Sequence, residues 1–254
     1  MTNKSMSPLS RRLLPLYIAA FLQGIPFWYA IEKLFMVEIG FNTATIGLMV
    51  AIMSVVMLVV ETPSGILADR WSRKGVMILG CLSLLISAVI GAFSYNEPVY
   101  IISTIFWGMY AALYSGTYDS VLFDTLVEEH GNASKFEKYL GRFKAVEGAS
   151  FVVGSLIGGL VASLIYMRLA YVLSIPLLGL ALVFLYKFKE PILRKSEVND
   201  PVFLHIKQTF STVLKSPSLL PVVVATVGFS LLLETVFELN QPVSYTHLRA
   251  HETG

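Results

Sequence analysis

Charge is scarce in this sequence. Asp, Glu, Lys and Arg make up 14% of its 254 residues, where a soluble domain carries about 25%. The hydrophobic share is 55%, which places the chain in the membrane class. Cysteine is nearly missing. Cys81 stands alone inside an apolar run, so no disulfide closes within the chain and no thiolate metal cluster is implied. Histidine is sparse as well. His130 and His205 fall in polar joints, no H-x-x-x-H spacing occurs before residue 243, and no Ser/His/Asp grouping stands at membrane depth. An enzyme is therefore not expected, nor a bound cofactor or metal. Ten-residue stretches of alternating hydrophobicity are wanting, which argues against a β-barrel. No small-residue cleavage site follows the first apolar run, so no cleavable signal peptide is expected.

What the chain does hold is a series of long apolar runs. A spanning helix needs about 20 mostly apolar residues. Seven runs qualify, at 13–37, 46–68, 76–95, 99–126, 141–165, 169–187 and 219–240. Lipid leaves exposed backbone groups unsatisfied, so an all-α integral membrane protein is predicted. The bases are distributed on one side. Apart from Lys33, Arg168 and Arg249, every Lys and Arg lies in the head, the joints or the run ends on the side of the N-terminus. That asymmetry predicts a cytoplasmic N-terminus in a multi-pass protein of the plasma (inner) membrane.

The one long joint, 188–218, contains Pro191, Pro201, Pro217 and an amphipathic stretch over 202–214. It fits a cytoplasmic connector with a helix lying along the membrane surface. The expected organisation is a cytoplasmic head over 1–12, a six-helix bundle over 13–187, the connector over 188–218 and the first helix of a second bundle over 219–242. Residues 243–254 break the apolar pattern in mid-course. They resemble the translation of a transposon-type sequencing adapter and are set aside as non-native, together with His247 and His251.

The most informative stretch is Gly65-Ile-Leu-Ala-Asp-Arg-Trp-Ser-Arg-Lys74. It joins the second and third runs by so short a polar hinge that the chain must re-enter the bilayer at once. It resembles the G-x-L-a-D-R-x-G-R-K signature of the major facilitator superfamily of secondary transporters. Gly65, Leu67, Asp69, Arg70, Arg73 and Lys74 match in place, and Ser72 replaces the second glycine. The resemblance implies a twelve-helix fold in which two six-helix bundles rock about a central site. This chain would hold the first bundle and the opening of the second. The function implied is alternating-access transport, as proton-coupled efflux of small amphipathic molecules. Uptake of a small polar solute and a non-transporting sensor or scaffold are the alternatives. The partners implied are the lipid bilayer, a small-molecule substrate and H⁺, with no nucleic acid and a monomer at full length.

The resemblance also assigns roles to residues. Asp69 would meet a helix N-terminus in the other bundle, an attraction of roughly 0.3–1 kcal/mol when exposed. Arg73 would hold an acid at the inner end of the fourth helix, with Asp124 as the candidate. Gly65 would admit a close helix approach, and Glu61, Arg70 and Lys74 would complete the latch. Serine tolerates positive φ less well than glycine, so Ser72 is expected to disturb the turn. On the fourth helix Trp107, Tyr110, Tyr114 and Tyr118 form an aromatic stripe beside Ser115 and Asp119. In the family that helix lines the cavity, and such a wall would suit an amphipathic or cationic substrate.

Other polar residues in the spans are read from position. Glu32 and Lys33 lie about 28 Å along the first helix at 1.5 Å per residue, near the far boundary. They serve either the cavity or the interface, and being adjacent, at most one faces inward in full. Lys144 and Glu147, three apart, suit a local ion pair. Gly148, Gly154, Gly158 and Gly159 form a small-residue face, for tight packing or for sliding against the second bundle. In the seventh run Glu234 and Glu238 stand in the half away from the connector, and one of them, with Glu234 taken as the candidate, would be the proton-coupling carboxylate.

Overall fold

The computed structural model describes residues 8–192, with Ser216, Pro217, Pro221 and Ala225 beyond them; of Thr62 only the backbone is described. The chain divides into two units, Met1–Ser196 and Glu197–Gly254, and the fold below is that of the first. The expected surface helix at 202–214, the seventh span with Glu234, and the tail at 243–254 lie outside the described residues.

Among the described residues the chain is helical and has no strand. The helices are α1 (Pro8–Gly24), α2 (Glu32–Glu38), α3 (Thr43–Arg70), α4 (Arg73–Ala92), α5 (Glu97–Tyr114), α6 (Thr117–His130), α7 (Phe136–Leu164) and α8 (Arg168–Lys187). Among the described residues five segments are long and apolar enough to cross a membrane: α3, α4, the stretch Glu97–His130 that α5 and α6 share, α7 and α8. The starts carry polar caps. Asn42 and Thr45 form a reciprocal capping box on α3, and the Asn96 side chain accepts from the Val99 amide at the start of α5, each satisfying donors that a helix leaves open.

Two runs read as single helices are broken. The run at 13–37 is divided between α1 and α2 by a turn over 25–31. Pro26 in that turn has no amide to continue the ladder. The Phe27 amide leaves it too and donates to Ser174 Oγ of α8 at 3.0 Å. The run at 99–126 breaks at Ser115–Gly116, where Gly116 takes φ +68°, a left-handed backbone that favours glycine. Depth counted along one continuous first helix therefore does not apply to Glu32 and Lys33.

Burial sorts the helices. In α4, 56% of the most apolar stretch is buried, against 17% in α3 and in α7. Helix α4 packs on α5 and α8; α3 packs on α5, and α1 on α7 and α8. Leu58 and Val59 of α3 and Leu156, Leu160 and Leu164 of α7 are exposed, as lipid-facing or partner-facing side chains would be. The core has a cluster near the hinge, around Leu13, Met77, Cys81, Val121 and Phe143, and one at the far end, around Trp28, Phe35, Leu84 and Tyr171.

Candidate functional site

The hinge end is held by charge. Arg73 Nη1 donates to Asp124 Oδ2 at 2.6 Å and Nη2 to Asp69 Oδ1 at 3.4 Å. The arginine thereby joins α3, α4 and α6. Most of the Asp69 side chain remains exposed. Ser72 has φ −169° and ψ 123°, an extended backbone open to any residue, so the expected strain does not arise. Its Oγ accepts from the Gly75 amide at 2.8 Å and caps α4. The same hydroxyl donates to Glu190 Oε2 at 2.7 Å, and the Lys74 amide donates to Glu190 Oε1 at 3.1 Å. A carboxylate thus sits on the N-terminus of α4, where the helix dipole favours it. The Lys74 ammonium donates to the Tyr186 carbonyl at 2.6 Å. Arg12 of α1 reaches Glu128 at 3.0 Å and Glu129 at 2.6 Å on α6. Arg70 is the exposed last residue of α3. Ser115 Oγ donates to Glu61 at 3.4 Å. A Cβ at Gly65 would meet nothing within 4 Å, so no described helix makes the close approach expected there.

Midway along the bundle lies a cleft of about 350 Å³ lined by Gln23, Gly24, Tyr29, Tyr110, Tyr114, Glu147, Gly148 and Phe151. Its walls come from the end of α1, the turn after it, α5 and α7. Glu147 is the charged residue of the lining. Tyr114 donates its hydroxyl proton to Glu147 Oε1, and the Lys144 ammonium lies 3.0 Å from Oε2. The same ammonium lies 3.4 Å from Asp119 Oδ1. The aromatic stripe divides here: Tyr110 and Tyr114 face the cleft, whereas Tyr118 is buried behind them and accepts a hydrogen bond from Gln23. Trp107 packs against the far-end core. Gln23, Tyr29 and Phe151 carried no signal of the cleft in the sequence, and Glu147 carried only that of a local ion pair.

The sequence profile of the Major Facilitator Superfamily matches residues 13–248. This chain belongs to the major facilitator superfamily. It is 24% identical over 156 residues to the quinolone resistance protein NorA of Staphylococcus aureus, covering 61% of this chain and 39% of NorA. It is 27% identical over 132 residues to the methylenomycin A resistance protein of Bacillus subtilis, covering 52% of this chain and 28% of that protein. The matches span well under half the length of these curated relatives. In structure it is similar to the nucleoside transporter NupG, with a TM-score of 0.72 at 16% identity, over 96% of this chain and 60% of that one. That likeness is one of fold.

Within this superfamily fold the far end is held differently from the hinge. Tyr100 donates to Glu32 Oε1 at 2.9 Å, and the Tyr100 and Tyr171 hydroxyls lie 2.8 Å apart. Trp28 stacks on Tyr171 with centroids 5.0 Å apart and planes within 7°. Lys33 is 5% exposed, its ammonium 3.7 Å from Glu32 Oε2. Lys33 is buried while Glu32 remains partly exposed, and neither lines the cleft. Arg168 donates to the Ala92 carbonyl at 2.7 Å and lies over the Tyr95 ring at 4.1 Å. On the small face of α7, Gly154 and Gly158 serve packing, while Gly148 and Gly159 have open space. A Cβ at Gly154 would come within 2.7 Å of the Ile25 carbonyl oxygen, and one at Gly158 within 1.8 Å of that of Phe27.

Proposed function

We propose that the chain forms one bundle, and the opening of a second, of a secondary transporter that exports small amphipathic cations by alternating access. The observation that carries this reading is the cleft. Tyr29, Tyr110, Tyr114 and Phe151 offer ring surface around one carboxylate, Glu147, and aromatic faces attract an organic cation. The carboxylate supplies charge where bilayer depth makes charge costly and therefore functional. Two relatives named for resistance, to quinolones and to methylenomycin A, support outward movement of small organic molecules. In this reading export is driven by H⁺, the N-terminus is cytoplasmic in the plasma membrane, and the full-length protein is a monomer. Asp69, Arg73 and Asp124 form the latch, with Gly65, Arg70, Lys74 and Glu61 around it, and Glu234 is the coupling carboxylate.

The test is export of ethidium from cells expressing the gene, with and without a protonophore. Wild-type cells should extrude the dye only while the proton gradient stands. Tyr114→Ala and Glu147→Gln should each lower the rate about ten-fold or more with unchanged membrane abundance. Undiminished export by both variants would overturn the cleft as the substrate site.

A further inference from the structure

We propose that Lys144 is a built-in competitor for the cationic ligand at Glu147, and that Asp119 is where its ammonium goes when the ligand arrives. This rests on the reading of the cleft as a cation site and adds how that site is kept and emptied. Two carboxylates share one ammonium here. Lys144 Nζ lies 3.0 Å from Glu147 Oε2 and 3.4 Å from Asp119 Oδ1. The first distance is that of a charge-assisted hydrogen bond; the second falls short of one. Asp119 Oδ1 is buried and accepts no hydrogen bond among the described residues. The Asp119 side chain is 40% exposed, and a movement of the ammonium by about 0.5 Å would give its Oδ1 a hydrogen bond.

The two carboxylates differ in what they face. Glu147 lines the cleft and Asp119 does not. In the empty cleft Lys144 neutralises Glu147, and Tyr114 donates to the other oxygen. A cation entering between Tyr110 and Tyr114 can take Oε2 while Lys144 passes wholly to Asp119. No carboxylate is left unpaired in either arrangement, so the exchange avoids stranding a charge in low dielectric. The lysine side chain is 51% exposed, so its hold on Glu147 is that of a half-exposed pair and is readily displaced. A neutral or anionic molecule has nothing to replace the ammonium with. Lys144 therefore sets the charge that the cleft accepts.

The experiment is equilibrium binding of radiolabelled tetraphenylphosphonium to the 254-residue chain in lipid nanodiscs. Lys144→Gln should bind about five-fold more tightly than wild type, the worth of losing a half-exposed competitor. Lys144→Arg, which keeps the charge, should bind as wild type does. Asp119→Asn should bind about three-fold more weakly, because the displaced ammonium loses its second partner. In the double variant Lys144→Gln/Asp119→Asn that penalty should vanish, a coupling that a merely structural role of Asp119 would not produce. If Glu147→Gln abolishes binding but Lys144→Gln leaves it unchanged or weaker, the competition is overturned and the cation cleft stands. If neither wild type nor Lys144→Gln binds the probe, both readings fall.

Discussion

A carbonyl oxygen decides what can stand at position 158. With Phe27 O only 1.8 Å from where a Cβ would sit, Gly158→Ala must push α7 away from the turn after α1. Overpacking of this kind costs about 3 kcal/mol. The neighbouring Gly159 has open space around it, and Gly159→Ala should be neutral or gain about 0.5 kcal/mol from helix propensity. Thermal unfolding of the two variants in detergent checks the pair; equal melting temperatures would sink the packing role. The spacing of small residues on α7 was legible in the sequence, but not what the face packs against. Its partner is a turn some 130 positions earlier in the chain, and periodicity carries no such pairing. Glu147 shows the same limit. A carboxylate inside an apolar run was plain to see. That it faces the cleft depends on how α7 is rotated against α1 and α5, which long-range packing sets.

Helix ends and breaks carry the next scale of argument. The broken run at 13–37 escaped the reading of hydrophobicity because Ile25, Phe27, Trp28 and Ile31 are as apolar as the helices around them and all end up in the core. Gly24 and Pro26 were the available signal, since glycine and proline punctuate secondary structure. At Gly116 a single glycine turns one predicted span into two helices. The start of α4 illustrates the opposite case, in which a departure from the family signature proves compatible with local geometry. Ser72 occupies an N-cap, where serine leads, glycine costs only a few tenths of a kcal/mol and alanine about 1 kcal/mol. Ser72→Ala should therefore lower stability by at least about 1 kcal/mol, with the lost contact to Glu190 adding to it, and Ser72→Gly by less. Chemical denaturation of both variants in the same detergent checks the order; a more stable alanine variant would overturn the capping role.

At the scale of the bundle, hydropathy and the distribution of bases were enough to predict an all-helical membrane protein, and the hinge residues alone pointed to its family. The order of helices in space was not available in that way, because the spans are apolar over most of their surface and differ little from one another in pattern. Helix α4 is central and α3 and α7 peripheral through packing alone. The proposed latch belongs to this scale, since in that reading it acts between bundles. Asp69 contacts Arg73 but remains mostly exposed. Charge reversal, Asp69→Arg, should lower ethidium export at least ten-fold while the protein still reaches the membrane at normal abundance. Export at the wild-type rate would remove the latch from the mechanism. The two ends of the bundle are fastened by different forces. Near the hinge the ties are ion pairs with partly exposed members, Arg12 with Glu128 and Glu129, and Arg73 with Asp69 and Asp124. At the far end stacked rings and buried hydroxyls around Trp28, Tyr100 and Tyr171 stand beside the Glu32–Lys33 pair, whose lysine is buried. Dissolved electrolyte weakens ion pairs with exposed members and reaches buried pairs and stacked rings much less. Concentrated salt should therefore act more on the hinge end than on the far end, a polarity of response along the length of the bundle.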